Sequence, residues 1–123
     1  MVISKKMIFA LLIVSFIAHA TSKDEESNYL DIKSKYTQAD HELNELYSTQ
    51  MQKYKKEGGD FYGQALSKDI FLKKSQQIWI RFRDASCDYE TYESQTGTGY
   101  QSIHTQCLLD KTNERIKYLK ENN

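Results

Sequence analysis

The chain contains no proline, and its five glycines fall in two places, Gly58-Gly59 with Gly63, and Gly97 with Gly99. Proline and glycine interrupt helices more effectively than any other residues, so a chain that confines them this way is free to form long helices and turns at those two places. Three segments result, spanning about 27–57, 66–93 and 100–121. In the first, Tyr36, Ala39, Leu43, Leu46 with Tyr47, Met51 and Tyr54 recur at steps of three and four between charged and amide residues. That spacing draws one apolar stripe along a helix. In the second, Leu66, Ile70 with Phe71, Ile78 with Trp79, Phe82, Ala85 and Tyr89 do the same, flanked by Lys73, Lys74, Arg81 and Arg83. The third keeps the period through Tyr100, Ile103, Cys107 with Leu108, Ile116 and Leu119, with a polar gap around Thr112. Sustained alternation of apolar and polar residues is missing, so a sheet has little to be built from. The expectation is an all-α fold, a small antiparallel bundle of about three long helices with the stripes turned inward.

The N-terminus has a different character. Lys5 and Lys6 precede an apolar run from Met7 to Ile17, which ends at Ala18-His19-Ala20. A charged start, an apolar stretch near a dozen residues and small residues at the cleavage positions make an export signal, and the run is shorter than the roughly 20 residues that cross a bilayer. Residues 1–20 are therefore read as a cleaved signal peptide. Residues 21–123 are the mature helical domain, periplasmic or secreted and without a stable membrane anchor. The polar stretch from Lys23 to Asp31 reads as a frayed leader into the first helix.

The 17 basic and 17 acidic residues balance, and loss of Lys5 and Lys6 leaves the mature part formally at −2. A nucleic-acid binder ordinarily carries a basic block on one face, and none is present, so nucleic acid is not an expected partner. Cys87 and Cys107 are the two cysteines, and in an exported small domain such a pair is most simply a disulfide. A metal site would need three or four convergent ligands. Here neither cysteine sits in a C-x-x-C pair, although His104 lies three residues before Cys107.

No arrangement of side chains reads as catalytic, and no cofactor is expected. Glu42 and Glu45 belong to a solvated face, while Asp40 and Asn44, four residues apart beside Leu43 and Tyr47, suit a structural hydrogen bond. The run Trp79-Ile80-Arg81-Phe82-Arg83-Asp84 reads as core aromatics with intramolecular ion pairs. His41 and His104 lack a free nucleophile beside them in sequence, and Gly97-Thr98-Gly99 lacks the lysine of a phosphate loop. The stretch Ser94 to Gln101 is the candidate for partner contact, above all Thr96, Gly97, Thr98, Gly99 and Tyr100, where glycines permit backbone approach and the tyrosine offers an amphipathic ring.

Taken in order, Tyr36, Asp40, Leu43, Asn44 and Tyr47, then Ser75, Gln76, Trp79, Ile80, Phe82, Arg83, Asp84 and Cys87, then Gly97-Thr98, Cys107, Thr112, Arg115, Ile116 and Leu119 resemble the LprI-type lysozyme-inhibitor domain over nearly all of the mature chain. The resemblance implies an exported helical domain, a Cys87–Cys107 disulfide and, for some members, inhibition of lysozyme. The family also commonly carries further cysteines in its first helical segment, and this chain has none there, with Asp31 near the expected place. Its motif residues Tyr36, Asp40, Leu43, Asn44, Tyr47, Gln76, Trp79, Phe82, Arg83, Asp84 and Arg115 read as packing determinants. The expected function is an exported, non-enzymatic protein that binds and blocks a lysozyme-type muramidase. The alternative is a non-catalytic envelope interaction or immunity module that binds another protein or a cell-wall fragment. The oligomeric state is left open.

Overall fold

The computed structural model describes the backbone of residues 5–59 and 62–123 and the side chains of residues 23–59 and 62–123. The signal-peptide reading of residues 1–20 rests on side chains outside the described residues. The chain forms α1 (Lys5–Glu57), α2 (Lys68–Glu90), a short 3-10 turn (Tyr92–Ser94) and α3 (Tyr100–Glu121). Helix makes up 84% of the structure, and there is no strand among the described residues. No helix among them is long and apolar enough to cross a membrane.

The helices run up, down and up. At one end Ser102 of α3 donates its hydroxyl to the Glu25 carboxylate of α1, and at the other the Gln50 amide of α1 donates to the Leu119 carbonyl of α3 at 3.0 Å. α1 and α3 are therefore parallel, and they share the most extensive helix–helix interface. The segment from Lys23 to Asp31, expected to fray, is helical. Two contacts account for this, the Glu25–Ser102 bond and a 3.0 Å Lys35–Asp31 ion pair one turn apart.

α1 turns the expected stripe inward. Ala39 and Leu43 join Leu109, Ile116 and Leu119 of α3 in the core, with Tyr36, Leu46, Leu72 and Trp79 packed against it. Each fully buried aliphatic side chain here contributes on the order of 1.5–3 kcal/mol. Gly58 ends α1 at φ 72° while its N–H donates to the Tyr54 carbonyl at 3.0 Å, a left-handed cap. Ser67 begins α2 in extended conformation, with Asp69 in the first turn near the positive end of the helix.

α2 departs from the expectation. Phe71, Ile78, Phe82 and Tyr89, placed in the inward stripe by their spacing, are 59%, 50%, 63% and 83% exposed, and Leu66, Ile70 and Ala85 are also exposed. Only Trp79 of that stripe turns toward the core. The cause is the disulfide between Cys87 and Cys107, whose Cα atoms lie 5.7 Å apart. With Cys87 held against α3, helix geometry brings the residues 4, 11 and 18 positions earlier onto the same face. These are Arg83, Gln76 and Asp69, all buried. Burying polar groups in place of Phe71 or Phe82 is tolerable only if every one of them finds a partner. Among the described residues no buried side-chain nitrogen or oxygen lacks one.

Candidate functional site

Asp69 accepts from the Ser67 hydroxyl at the start of α2 at 2.5 Å, while the partners of Gln76 and Arg83 form one cluster between α2 and α3. Arg115 donates from Nε to the Gln76 side-chain carbonyl at 2.9 Å and from a terminal nitrogen to the Ser75 hydroxyl at 2.9 Å. Arg83 donates to the Asp84 carboxylate at 2.9 Å and to the Thr112 hydroxyl at 3.4 Å. Trp79 lies between the two guanidiniums, 5.1 Å from that of Arg83 and 5.6 Å from that of Arg115. Tyr36 covers Arg83 from α1 at 5.8 Å, and Tyr118 covers Arg115 at 4.9 Å. Burial pushes the Tyr36 hydroxyl above its ordinary range, against the pull of Arg83, and burial pulls the Arg115 guanidinium below its own. Thr112, which left only a polar gap in the sequence, is 0% exposed and completes the cluster. With their hydrogen bonds directed at protein groups and their faces on rings, these arginines serve as struts. An incoming anion would have to displace an existing partner.

The other motif positions scatter. Leu43 is in the core, Asp40 and Tyr47 are half-buried, Asn44 is exposed and donates to Asp40 at 3.3 Å, and Asp84 and Phe82 face solvent. His41 pairs with Glu45 at 3.1 Å on the exposed side of α1, and His104 pairs with Asp88 at 3.0 Å. The two pairs lie on different helices, α1 for His41 and α2–α3 for His104. Among the described residues no group of three or more His, Cys, Asp or Glu side chains converges on a metal position.

The loop singled out for partner contact lies at the end of the bundle where α1 passes Glu25. The Gly97 N–H donates to the Ser94 carbonyl at 2.9 Å and the Tyr100 N–H to the Gly97 carbonyl at 3.4 Å, so the loop is a series of tight turns. Thr96, Gly97 and Thr98 are exposed at its tip, while Gly99 is half-buried beside the Glu25 carboxylate and the half-buried Tyr100 ring rests 5.5 Å from that of His104. Thr91 caps α2 beneath the loop, its hydroxyl donating to the Cys87 carbonyl at 2.6 Å. The tip therefore projects from a base held by a capped helix, a disulfide and the Glu25–Ser102 bond.

Sequence reasoning missed two surfaces. One is a hollow of about 420 Å³ at the opposite end, where Lys53 and Lys68 lie over the Tyr54 ring at 5.7 and 4.6 Å and Phe71 and Asn123 complete the wall. Its lysines are distant in sequence and no local motif joins them. The other is the outward stripe of α2, which the periodicity revealed while its direction stayed hidden.

The family model for the lysozyme inhibitor LprI matches residues 19–119, which include α2, both turns and most of α1 and α3. The chain belongs to the LprI family. An uncharacterized protein of Rhizobium meliloti (strain 1021) is 37% identical over 92 residues, which are 70% of this chain and 64% of that relative; the chain thus spans less than two thirds of the relative's length. A DUF1311-family protein of Pseudomonas putida KT2440, known from a crystal structure at 1.85 Å, shares 24% identity with a TM-score of 0.64 over 77% of this chain and 89% of its own. DUF1311 and LprI are the same family, and the likeness to the Pseudomonas protein shows the shared helical fold. The family carries the description of a lysozyme inhibitor.

Proposed function

We propose that this LprI domain is exported, loses residues 1–20 and, as residues 21–123, inhibits a lysozyme-type muramidase by binding across its substrate cleft. The observation that carries the reading is the family match over residues 19–119. An inhibitor of this kind needs a rigid projection and no reacting group. The tip Thr96-Gly97-Thr98 suits that role, because it is exposed and narrow on a base tied by the Cys87–Cys107 bond. Muramidases work through two carboxylates flanking the scissile bond, and the two exposed threonine hydroxyls of the tip offer donors to such a cleft. Little electrostatic steering supports the encounter, since the mature domain is formally −2, so the association rate should depend weakly on salt.

The test is co-elution of the oxidised domain with lysozyme in gel filtration. A complex is expected for the wild type, and it should be lost when Gly97→Trp or Thr98→Trp blocks the tip while the helical circular dichroism is unchanged. Separate elution of folded wild-type domain would remove the proposal for the enzyme tried.

A further inference from the structure

We propose that the outward stripe of α2 is the self-association surface of this protein, where a second copy packs antiparallel to form a two-fold dimer. Phe71, Ser75, Ile78, Phe82, Ala85 and Tyr89 lie within about 40° of one line along the helix. Each is exposed, and the line carries no charged residue. The core lies to one side, on the face that carries Gln76 and Arg83. This exposed line is apolar except at Ser75, whose hydroxyl accepts from Arg115, and on a helix that already has its core partners elsewhere it calls for a partner from outside the chain.

Its order indicates which partner. The six residues are placed symmetrically about position 80, with Phe71 and Tyr89 nine residues to either side, Ser75 and Ala85 five, and Ile78 and Phe82 two. A two-fold contact sets each position against its mirror position in the partner. Centred at 80, an antiparallel pair sets Phe71 against the second copy's Tyr89, Ser75 against its Ala85, and Ile78 against its Phe82. Large rings meet at the ends, small residues meet between them and let the helices approach, and two apolar pairs fill the centre. A parallel pairing would not produce this matching.

Charge supports the same arrangement. Exposed Lys68, Lys73 and Lys74 make the first half of α2 basic, whereas in the second half Asp84, Asp88 and Glu90 outnumber Arg81 and the buried Arg83. Lys73, Lys74 and Arg81 have no ion pair among the described residues. Antiparallel packing lays basic half against acidic half, with Lys74 about 3 Å along the axis from the second copy's Asp88, an exposed carboxylate that also pairs with His104 of its own chain. Arg81 meets its own copy near the two-fold axis, an unfavourable pair on the solvent side. The four large residues offer roughly 450 Å² per chain, about 900 Å² for the pair before the flanks are counted, which is the size of a weak, transient interface. The dimer should accordingly exchange with monomer in the micromolar range.

Sedimentation velocity on the exported, disulfide-bonded protein, from about 1 to about 200 µM, tests this. The mass is expected to rise from one chain toward two across that range, and Phe82→Glu, at an exposed position, should hold it at one chain with unchanged circular dichroism. Register is read from cysteine variants. An equimolar mixture of Ser75→Cys and Ala85→Cys should cross-link between chains, and neither variant should cross-link alone. One chain at every concentration, a dimer undisturbed by Phe82→Glu, or cross-linking of Ser75→Cys with itself would each overturn the proposal.

Discussion

Replacing Arg115 by Ala is the most informative perturbation of the fold. The side chain is buried, and its removal takes a charge-assisted bond from the buried Gln76 carbonyl, a second from Ser75, and a cation from between the Trp79 and Tyr118 rings. A hydrogen bond to a charged donor is worth about 1.5–3 kcal/mol, and a cation over a ring about 0.5–1 kcal/mol when exposed. Against these stands the cost of keeping a guanidinium out of water, visible in the depressed basicity of Arg115. The net loss should be about 3 kcal/mol, which for a domain of this size lowers Tm by roughly 12–24 °C. Thermal unfolding followed by far-UV circular dichroism measures it, with Arg115→Lys and Arg115→Met in parallel. Lysine keeps the charge without the fork and should recover part of the loss, and methionine keeps the stem but strands Gln76 and should recover less. A drop under about 4 °C for Arg115→Ala, or a methionine variant as stable as wild type, would refute the view that this network holds α2 in its rotation.

Other outcomes follow from the same structure. Reduction, or the double change Cys87→Ser with Cys107→Ser, removes a cross-link closing 20 residues and should cost about 3 kcal/mol, read as a lower Tm in reductant. Gly58→Ala should cost about 1 kcal/mol in urea unfolding because φ is 72°, with Gly58→Asn closer to wild type, and no added side-chain contact offsets the strain. The raised Tyr36 pKa means that the folded state holds its proton longer than the unfolded state, whose value is near 10.0. The resulting stability is complete below that pH and falls away as pH rises through the folded value, so urea midpoints should decline above about pH 10 and decline less in Tyr36→Phe. Lys120→Ala breaks a 2.9 Å pair with Glu42 between exposed side chains and should change stability by less than about 0.5 kcal/mol.

The legible and hidden parts of the fold divide on physical lines. The stripes of α1 and the end points of α3 were readable because their apolar residues supply the core and the glycines mark the turns. Leu43, Ile116 and Leu119 lie where their period puts them. α2 misled because its strongest apolar line is not its core face. The rotation is decided by a covalent bond at Cys87 and by Gln76 and Arg83 finding partners in α3, and pairing of polar groups far apart in sequence leaves no periodic trace. Thr112 was hidden for the same reason, a hydroxyl buried to serve an arginine 29 residues away. Glu25 sits in a stretch whose composition reads as a frayed leader, because its partner Ser102 lies 77 residues on. Of the candidate surfaces, the glycine-bearing loop is visible in the sequence through its composition, while the direction of the α2 stripe and the lysine-rimmed hollow exist only after folding.

The central claim, that this LprI domain inhibits a lysozyme-type muramidase, is tested most directly by the initial rate of wall clearing by lysozyme, measured as oxidised domain is titrated in. The rate should fall in proportion to added domain and reach its floor near an equal molar amount, with Gly97→Trp folded but inactive. An unchanged clearing rate at a large molar excess of folded, disulfide-bonded domain, across muramidases of several types, would contradict the claim.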